Sequence, residues 1–329
     1  MTYTPHVHND EIVFGKGVRV SFQRTLRIPD DGRTYPLPPG LGRFPIRRVE
    51  DYADRVPTDW RDKGGVFLPM YQREAMWLSF RGQHYKPRAI KIGIGKVCAI
   101  TGKEWSNGLR DKPQDYVVAP LQPWLDGIAT GKGTIRQFVA MPLGMGYTVE
   151  GQLTGKEDVG GVQLKVFEPR PGIFPDAPPT DGLRQRALSA MMPMCAAPAP
   201  PAAGGMGLAA GGRMKQKIYP DPHGIETWDS ANCARIFIHL ANSAMWREIT
   251  GEAPPSTPVT AKEYARHGLP WFDLYDEGAA TLDPPDKLAG VASVKELDQE
   301  KFGTALQDDG SVEPNSVKKI GQPVHDGKW

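Results

Sequence analysis

Cysteine is scarce in this sequence, and the few that occur lie far apart. The 329 residues contain 3 cysteines: Cys98, Cys195 and Cys233. An odd number without paired spacing argues against a disulfide framework and is typical of a reducing compartment. The first residues contain neither a basic stretch nor an apolar segment of the kind that directs secretion. The sequence therefore predicts a cytoplasmic protein.

Long apolar runs and an excess of one charge are also missing. No stretch approaches the roughly 18 apolar residues that a membrane helix requires. The 40 basic and 38 acidic residues leave a net charge of +2, which is too balanced for a general nucleic-acid or membrane-surface binder. We therefore expect no membrane span and no nucleic-acid partner.

The local signatures of common catalytic and cofactor sites are missing as well. Residues 127–134 resemble a phosphate-binding loop, but three residues rather than four separate its first two glycines. Gly133 follows Lys132, where that loop needs Ser or Thr to reach a metal ion. No Gly-x-Ser-x-Gly nucleophile elbow occurs either. The cofactor, if the protein has one, is therefore not predicted by the sequence.

Glycine, proline and aromatic residues are plentiful, and they indicate many short elements joined by turns. The chain has 37 Gly and 32 Pro, together with 8 Trp, 10 Tyr and 11 Phe. Apolar residues alternate with polar ones at 18–23, after a glycine-containing turn, which predicts a β-hairpin with residues 12–14. Further predicted strands cover 75–80, 89–94, 96–101, 116–119, 135–142, 147–153 and 161–167. Such spacing favours an antiparallel β-sandwich or a barrel-like body.

The composition changes after this β-rich part, which we assign to residues 1–168. Residues 169–217 are rich in Pro, Ala, Gly and Met, and they predict a loop or linker because they offer little surface to bury. Residues 218–307 predict one buried strand at 235–240 and short helices, packing on the same body. Residues 308–329 read as a polar tail. The fold class is therefore mainly β, of the α+β type, with a few short helices mostly in the last third.

One short motif occurs twice. Pro-Trp-Leu-Asp at 123–126 is echoed by Pro-Trp-Phe-Asp at 270–273. Asp126 and Asp273 could act as a pair of acids on a glycoside, because an aromatic face raises the pKa of a nearby carboxyl. Trp124 and Trp271 would then form the walls of a cleft, and His239 would be the base. The alternative is structural: Pro-Trp begins an element, Asp before Gly makes a turn, and a histidine between apolar neighbours belongs to the core.

Two further groups of residues suggest binding. His6 and His8 would share a face of a strand, with Asp10 two residues further on, and could hold a zinc-like or iron-like ion. Exposure near the terminus is the simpler interpretation. Met191, Met192 and Met194 offer soft sulfur ligands or an adaptable contact surface. The stretch 191–214 is where we first expect a partner to bind.

Three functions remain open at this point. A β-rich scaffold with many loops and no catalytic signature favours a non-catalytic, structural protein that binds a protein partner or copies of itself. The first alternative is a hydrolase-like enzyme that uses Asp126, Asp273 and His239 in a Trp-lined cleft. The second is a metal-binding protein that uses the N-terminal His-x-His pair.

Overall fold

The fold was obtained as a computed structural model, which describes residues 3–15, 17–178, 205–274, 279–283, 285–304 and 310–320. Strand residues outnumber helical residues among them, most of the strand pairs are antiparallel, and short helices lie between and after the strands. The predicted mainly-β fold of the α+β type is therefore confirmed. The predicted binding residues Met191, Met192 and Met194 lie outside the described residues.

Most elements of the described chain are short, as the glycine and proline content predicts. The strands are β1 (His6–His8), β2 (Glu11–Phe14), β3 (Val18–Thr25), β4 (Thr34–Tyr35), β5 (Gly40–Arg43), β6 (Arg47–Arg48), β7 (Val66–Pro69), β8 (Ala75–Arg81), β9 (Arg88–Ile94), β10 (Val97–Cys98), β11 (Val117–Ala119), β12 (Trp124–Leu125), β13 (Gly127–Gly131), β14 (Thr134–Pro142), β15 (Val162–Pro169), β16 (Met206–Lys215), β17 (Trp228–Ala241), β18 (Trp271–Leu274) and β19 (Val317–Ile320). The helices are α1 (Thr58–Lys63), α2 (Val149–Thr154), α3 (Ser243–Thr250), α4 (Ala261–Arg266), α5 (Asp286–Ala289) and α6 (Val294–Phe302), with 3-10 turns at Val49–Tyr52 and Ile225–Thr227.

The strands follow one another in two series. The first runs β1-β2-β3-β8-β14-β16, and all of its pairs are antiparallel. The second runs β7-β17-β15-β9-β11, in which the β7–β17 pair is parallel. A single pairing, Met206 opposite Leu240, joins β16 to β17 and connects the two series.

The inward residues of both series form one hydrophobic core. Phe22, Leu78 and Phe138 come from the first series, whereas Ile92 and Leu164 come from the second. On β3 the buried Val18, Val20 and Phe22 alternate with more polar residues. The period-two pattern therefore correctly predicted which face of β3 lies in the core. Strands from the N-terminal and C-terminal parts of the chain therefore stabilise each other.

The structure confirms one local prediction and contradicts another. The predicted hairpin is confirmed, because β2 pairs antiparallel with β3. The strand predicted at 147–153 is wrong, because helix α2 occupies most of it. The Thr148 side chain accepts a hydrogen bond from the Gly151 N–H at the start of α2, and Gly155 ends the helix in the left-handed conformation. These caps outweigh the strand preference of the apolar residues.

The C-terminal part of the predicted loop at 169–217 is not a loop. Residues 206–215 form β16, which pairs with β14 along most of its length and is largely buried. Its small residues let neighbouring backbone approach closely: a Cβ atom added to Gly212 would lie 2.3 Å from the Pro29 carbonyl oxygen. The prediction of a loop is therefore wrong for these ten residues, because small residues can also form a closely packed strand.

Part of the predicted polar tail also has regular structure. β19 pairs in parallel with β18 and makes a separate two-stranded sheet, and all four of its residues are exposed. The backbone of Phe272 in β18 also exchanges hydrogen bonds with Leu37. Among the described residues, no helix is long and apolar enough to cross a membrane.

Candidate functional site

The two copies of the Trp-Asp motif meet at one cavity, which has a volume of about 150 Å³. Trp124 of β12 borders it from the first copy, and Asp273 of β18 borders it from the second. The Leu37–Phe272 hydrogen bonds bring β18 to this place. The other lining residues are Leu37, Gln122, Pro123, Gly133, Lys215, Gln216, Lys217 and Tyr219. We call this space the Trp124–Asp273 cavity.

Asp126 lies beneath this cavity rather than on it. Its carboxylate accepts a hydrogen bond from the Gln216 Nε2–H at 2.7 Å and another from the Trp124 side chain. Its own backbone N–H donates to Gln216 Oε1 at 2.9 Å. Burial raises the pKa of Asp126 to about 7 although these bonds act against the shift. Asp126 thus fixes Trp124 and Gln216, which themselves border the cavity.

The polar groups that face the cavity are less occupied. In the described part of the chain, the side chains of Asp273 and Lys215 form no hydrogen bond or ion pair. Lys217 also borders the cavity, and its Nζ donates a hydrogen bond to the Ala279 carbonyl oxygen. A carboxylate and an ammonium group are therefore both available to a molecule in the cavity.

A second space adjoins the first. It has a volume of about 470 Å³ and shares Gly133 and Gln216 with the Trp124–Asp273 cavity. Gly131, Gly133 and Thr134 border it, so the segment that resembles a phosphate loop lies between β13 and β14 at this place. The segment is a hairpin turn, which is the structural alternative to a phosphate site.

Trp271 does not border the Trp124–Asp273 cavity. It is fully buried in a small core, where its ring lies 5.9 Å from the Tyr35 ring and 6.3 Å from the Tyr264 ring. The two tryptophans of the repeated motif therefore have different roles in the structure. Trp124 faces a cavity, and Trp271 holds β18 against the rest of the protein.

His239 lies at a different place again. It stacks on Trp60 at 4.7 Å, and its Nε2 lies 3.0 Å from the Gly64 carbonyl oxygen. Burial lowers its pKa to about 4, so the ring is neutral at pH 7. It borders a cavity of about 260 Å³ that shares no lining residue with the Trp124–Asp273 cavity. No single cleft gathers Asp126, Asp273 and His239.

The N-terminal histidines are on the surface. His6 and His8 are exposed on β1, as predicted for residues on one face of a strand. The Asp10 carboxylate accepts a hydrogen bond from the Ile46 N–H at 3.0 Å instead of joining them. Within the described ranges, no three His, Cys, Asp or Glu side chains are grouped so as to hold a metal ion.

A further cavity has a volume of about 660 Å³ and is bordered by residues that sequence reasoning missed. Trp105, Arg235 and Phe237 are among them, and we call it the Trp105 groove. Arg235 is an isolated cation in strand β17, opposite Lys165 of β15, which in turn lies opposite Lys91 of β9. Each of these charged residues can be seen in the sequence, but only the strand register shows that they lie opposite one another.

No family model, curated protein or solved structure matches this chain.

Proposed function

We propose that this protein is a non-catalytic binding protein whose Trp124–Asp273 cavity takes a neutral, polyhydroxylated ring such as a single sugar unit. The observation that carries the proposal is the meeting of Trp124, Asp273 and Lys215 at one cavity, where the two charged side chains have no partner among the described residues.

The aromatic wall supports a ring-shaped ligand. An indole presents a large, flat apolar surface, and the C–H groups on one face of a sugar ring form a matching apolar surface. The Trp124 ring is held by its hydrogen bond to Asp126. A side chain that is already oriented loses little conformational entropy when a ligand stacks on it.

The charges support an uncharged ligand with hydroxyl groups. Asp273 repels an anion, whereas Lys215 and Lys217 repel a cation. A hydroxyl group can donate a hydrogen bond to the carboxylate, and its oxygen can accept one from an ammonium group. One polyhydroxylated molecule can therefore satisfy both side chains.

The volume limits the size of the ligand. Small-molecule sites usually measure about 300–1,000 Å³, and the Trp124–Asp273 cavity has about 150 Å³. One ring fits this space, with room for a second unit only in the adjoining space beyond Gln216.

The position of Asp126 favours binding over cleavage. Glycoside hydrolysis uses two carboxyl groups on either side of the scissile bond. Asp273 borders the cavity, but Asp126 is 4% exposed and bonded to Gln216. The second acid of the motif therefore does not reach a ligand.

The proposal is tested by titrating the protein with a panel of monosaccharides and short oligosaccharides, followed by saturation-transfer NMR and calorimetry. We expect at least one sugar to bind, and Trp124→Ala to weaken it at least tenfold, which corresponds to about 1.4 kcal/mol of lost stacking. Trp105→Ala is the matched control and leaves the affinity unchanged. Absence of binding across the panel, or full binding by Trp124→Ala, rules the proposal out.

A second candidate function is self-association or binding of a protein partner, as the sequence led us to expect. The observation that favours it is the edge of β19: Val317 is 44% and Ile320 is 46% exposed. In the described chain no further strand pairs with β19 beyond β18. An unpaired strand edge can accept a strand from another chain.

Light scattering with concentration series tests this second function. We expect oligomers that a Val317→Asp, Ile320→Asp double variant converts to monomers. A clean monomer at high concentration, with no partner captured, would count against it.

A further inference from the structure

We propose a second binding site in the Trp105 groove, for a small anion that carries a planar ring. The proposal is independent of the sugar site, because the groove and the Trp124–Asp273 cavity share no lining residue.

The ring of Trp105 is held rigidly at the border of the groove. It packs on Gly93 of β9, where a Cβ atom would lie 2.6 Å from the ring carbon Cε3. The next residue, Ser106, accepts a hydrogen bond from Lys91 Nζ at 2.8 Å, and Lys91 also pairs with Asp115 at 2.6 Å. The loop that carries Trp105 is therefore anchored to the sheet by a buried ion pair.

Arg235 lies over the same ring. Its guanidinium carbon is 5.7 Å from the centre of the Trp105 ring, within the range of a cation–π contact. A second contact of this kind lies nearby, where Lys63 Nζ is 5.5 Å from the centre of the Phe237 ring. The groove therefore combines two aromatic surfaces with positive charge placed over each of them.

Most of the charged side chains around the groove are paired. Four cationic side chains border it, against two carboxylates; they are Arg48, Lys63, Lys96 and Arg235, and Glu50 and Glu104. Three of the cations have acidic partners: Arg48 pairs with Glu50 and Asp51, Lys63 with Asp59 and Lys96 with Asp158. These pairs balance the charges of three cations, so the positive charge that is left for an anion is that of Arg235.

Arg235 is the exception among these cations. In the described ranges no carboxylate lies within ion-pair distance of its guanidinium, and it donates to the Gln163 side-chain oxygen. Gln163 is itself fixed, because its Nε2–H donates to the Gly95 carbonyl oxygen. A guanidinium has five N–H donors in a planar fork that matches carboxylate and phosphate groups. Arg235 is thus oriented, with donors left for an anionic group.

The arrangement selects a ligand with two parts. The fork of Arg235 binds the anionic group, and a planar ring stacks on the aromatic or guanidinium surfaces nearby. The volume of about 660 Å³ lies within the usual range for small-molecule sites. An anion without a ring, or a ring without an anionic group, would contact only one of these two parts of the site.

Calorimetry on the full-length protein separates these contributions. The probes are AMP and naphthoate as planar anions, adenosine as a neutral ring, and inorganic phosphate as an anion without a ring. We expect at least one planar anion to bind at least tenfold more tightly than adenosine and phosphate, with affinity that falls as salt is added.

Two variants and two controls complete the test. We expect Arg235→Gln and Trp105→Leu to weaken binding of the planar anion at least tenfold. Arg213→Gln, at an exposed position of β16, and Trp124→Ala are the controls and leave this affinity unchanged. Thermal unfolding shows that each variant is folded. Failure of both planar anions to bind, equal binding of adenosine or phosphate, or full affinity in Arg235→Gln overturns the proposal.

Discussion

The carboxyl group of Asp126 is placed where its charge is unfavourable. It is buried and accepts hydrogen bonds from Gln216 and Trp124. The sequence predicted a raised pKa from the neighbouring tryptophan, and the structure raises it through burial. The same residue that suggested an acid catalyst serves to position the wall of a cavity.

The raised pKa predicts a pH dependence of stability. The pKa of Asp126 is about 7 in the folded protein and about 3.9 in an unfolded chain. Between these values the folded state binds more protons, so the free energy of unfolding falls as the pH rises. By pH 8 this group lowers the free energy of unfolding by on the order of 4 kcal/mol, relative to its protonated form. We expect Asp126→Asn to remove this loss, as measured by urea unfolding between pH 5 and pH 8.

Other groups titrate in the same range, so the variant must be compared with the wild type. Burial also raises the pKa of Glu74 to about 7, with the same sign as Asp126. The lowered pKa of His239 acts in the opposite direction and reduces stability as the pH falls below about 6.5. The difference between the two unfolding curves isolates Asp126. Parallel curves would contradict the prediction.

Asp298 holds helix α6 through a buried ion pair. Its two carboxylate oxygens accept hydrogen bonds from Arg73 at 2.8 and 2.7 Å, and Tyr147 adds a third at 2.7 Å. The Asp298 side chain is 1% exposed. Asp298→Ala leaves Arg73 without its partner, and we expect it to lower the free energy of unfolding by about 3–5 kcal/mol. Chemical denaturation measures the change.

A surface pair provides the control for this substitution. Lys63 and Asp59 lie 3.4 Å apart and are both partly exposed to solvent. We expect Asp59→Ala to cost less than about 1 kcal/mol. Equal effects of the two substitutions would show that burial does not decide the strength of these pairs.

β16 shows how an element can escape prediction from composition. Its sequence is rich in Gly and Ala, so it has few large side chains to bury. Neighbouring atoms use the resulting space: Pro29 approaches Gly212, and Val139 approaches Gly211. The strand is stable because its neighbours cover it. The composition of the strand itself does not predict this burial, because strand preference depends on the surrounding packing.

The close approach at Gly212 predicts a strong effect of one methyl group. A Cβ atom would lie 2.3 Å from the Pro29 carbonyl oxygen, so Gly212→Ala forces backbone to move. We expect a loss of about 1–3 kcal/mol in the free energy of unfolding. Gly290→Ala, where a Cβ atom meets nothing within 4 Å, is the control and changes stability by less than about 0.5 kcal/mol. Equal stability of the two variants would contradict the packing argument.

At the scale of the whole molecule, one core joins distant parts of the chain. β17 lies between β15 and β7, and β16 covers the edge of β14. Ile238 and Leu208 belong to the same core as Phe22 and Leu164. Early strands therefore depend on late ones for their partners.

This shared core predicts that the β-rich first part does not fold alone. A fragment of residues 1–178 lacks β16 and β17, so it exposes the edges of β14 and β15 and part of the core. We expect the full chain to unfold cooperatively and the fragment to show no cooperative transition by circular dichroism. A fragment with dispersed amide signals and a sharp melting curve would contradict this prediction.

The sequence by itself determined the kinds of elements and many of their faces. Alternating apolar residues and glycine turns predicted the β2–β3 hairpin and the mainly-β class, because these signals act between near neighbours. The capping box of Ser293 and Glu296 at the start of helix α6 is a signal of the same local kind.

Only the tertiary structure decided which residues meet. Trp124 and Asp273 share a cavity, whereas Asp126, Trp271 and His239 lie elsewhere. Trp105 and Arg235 came together through the register of three strands and a loop. Strand register and loop placement depend on packing between distant segments, so local sequence patterns cannot encode them individually.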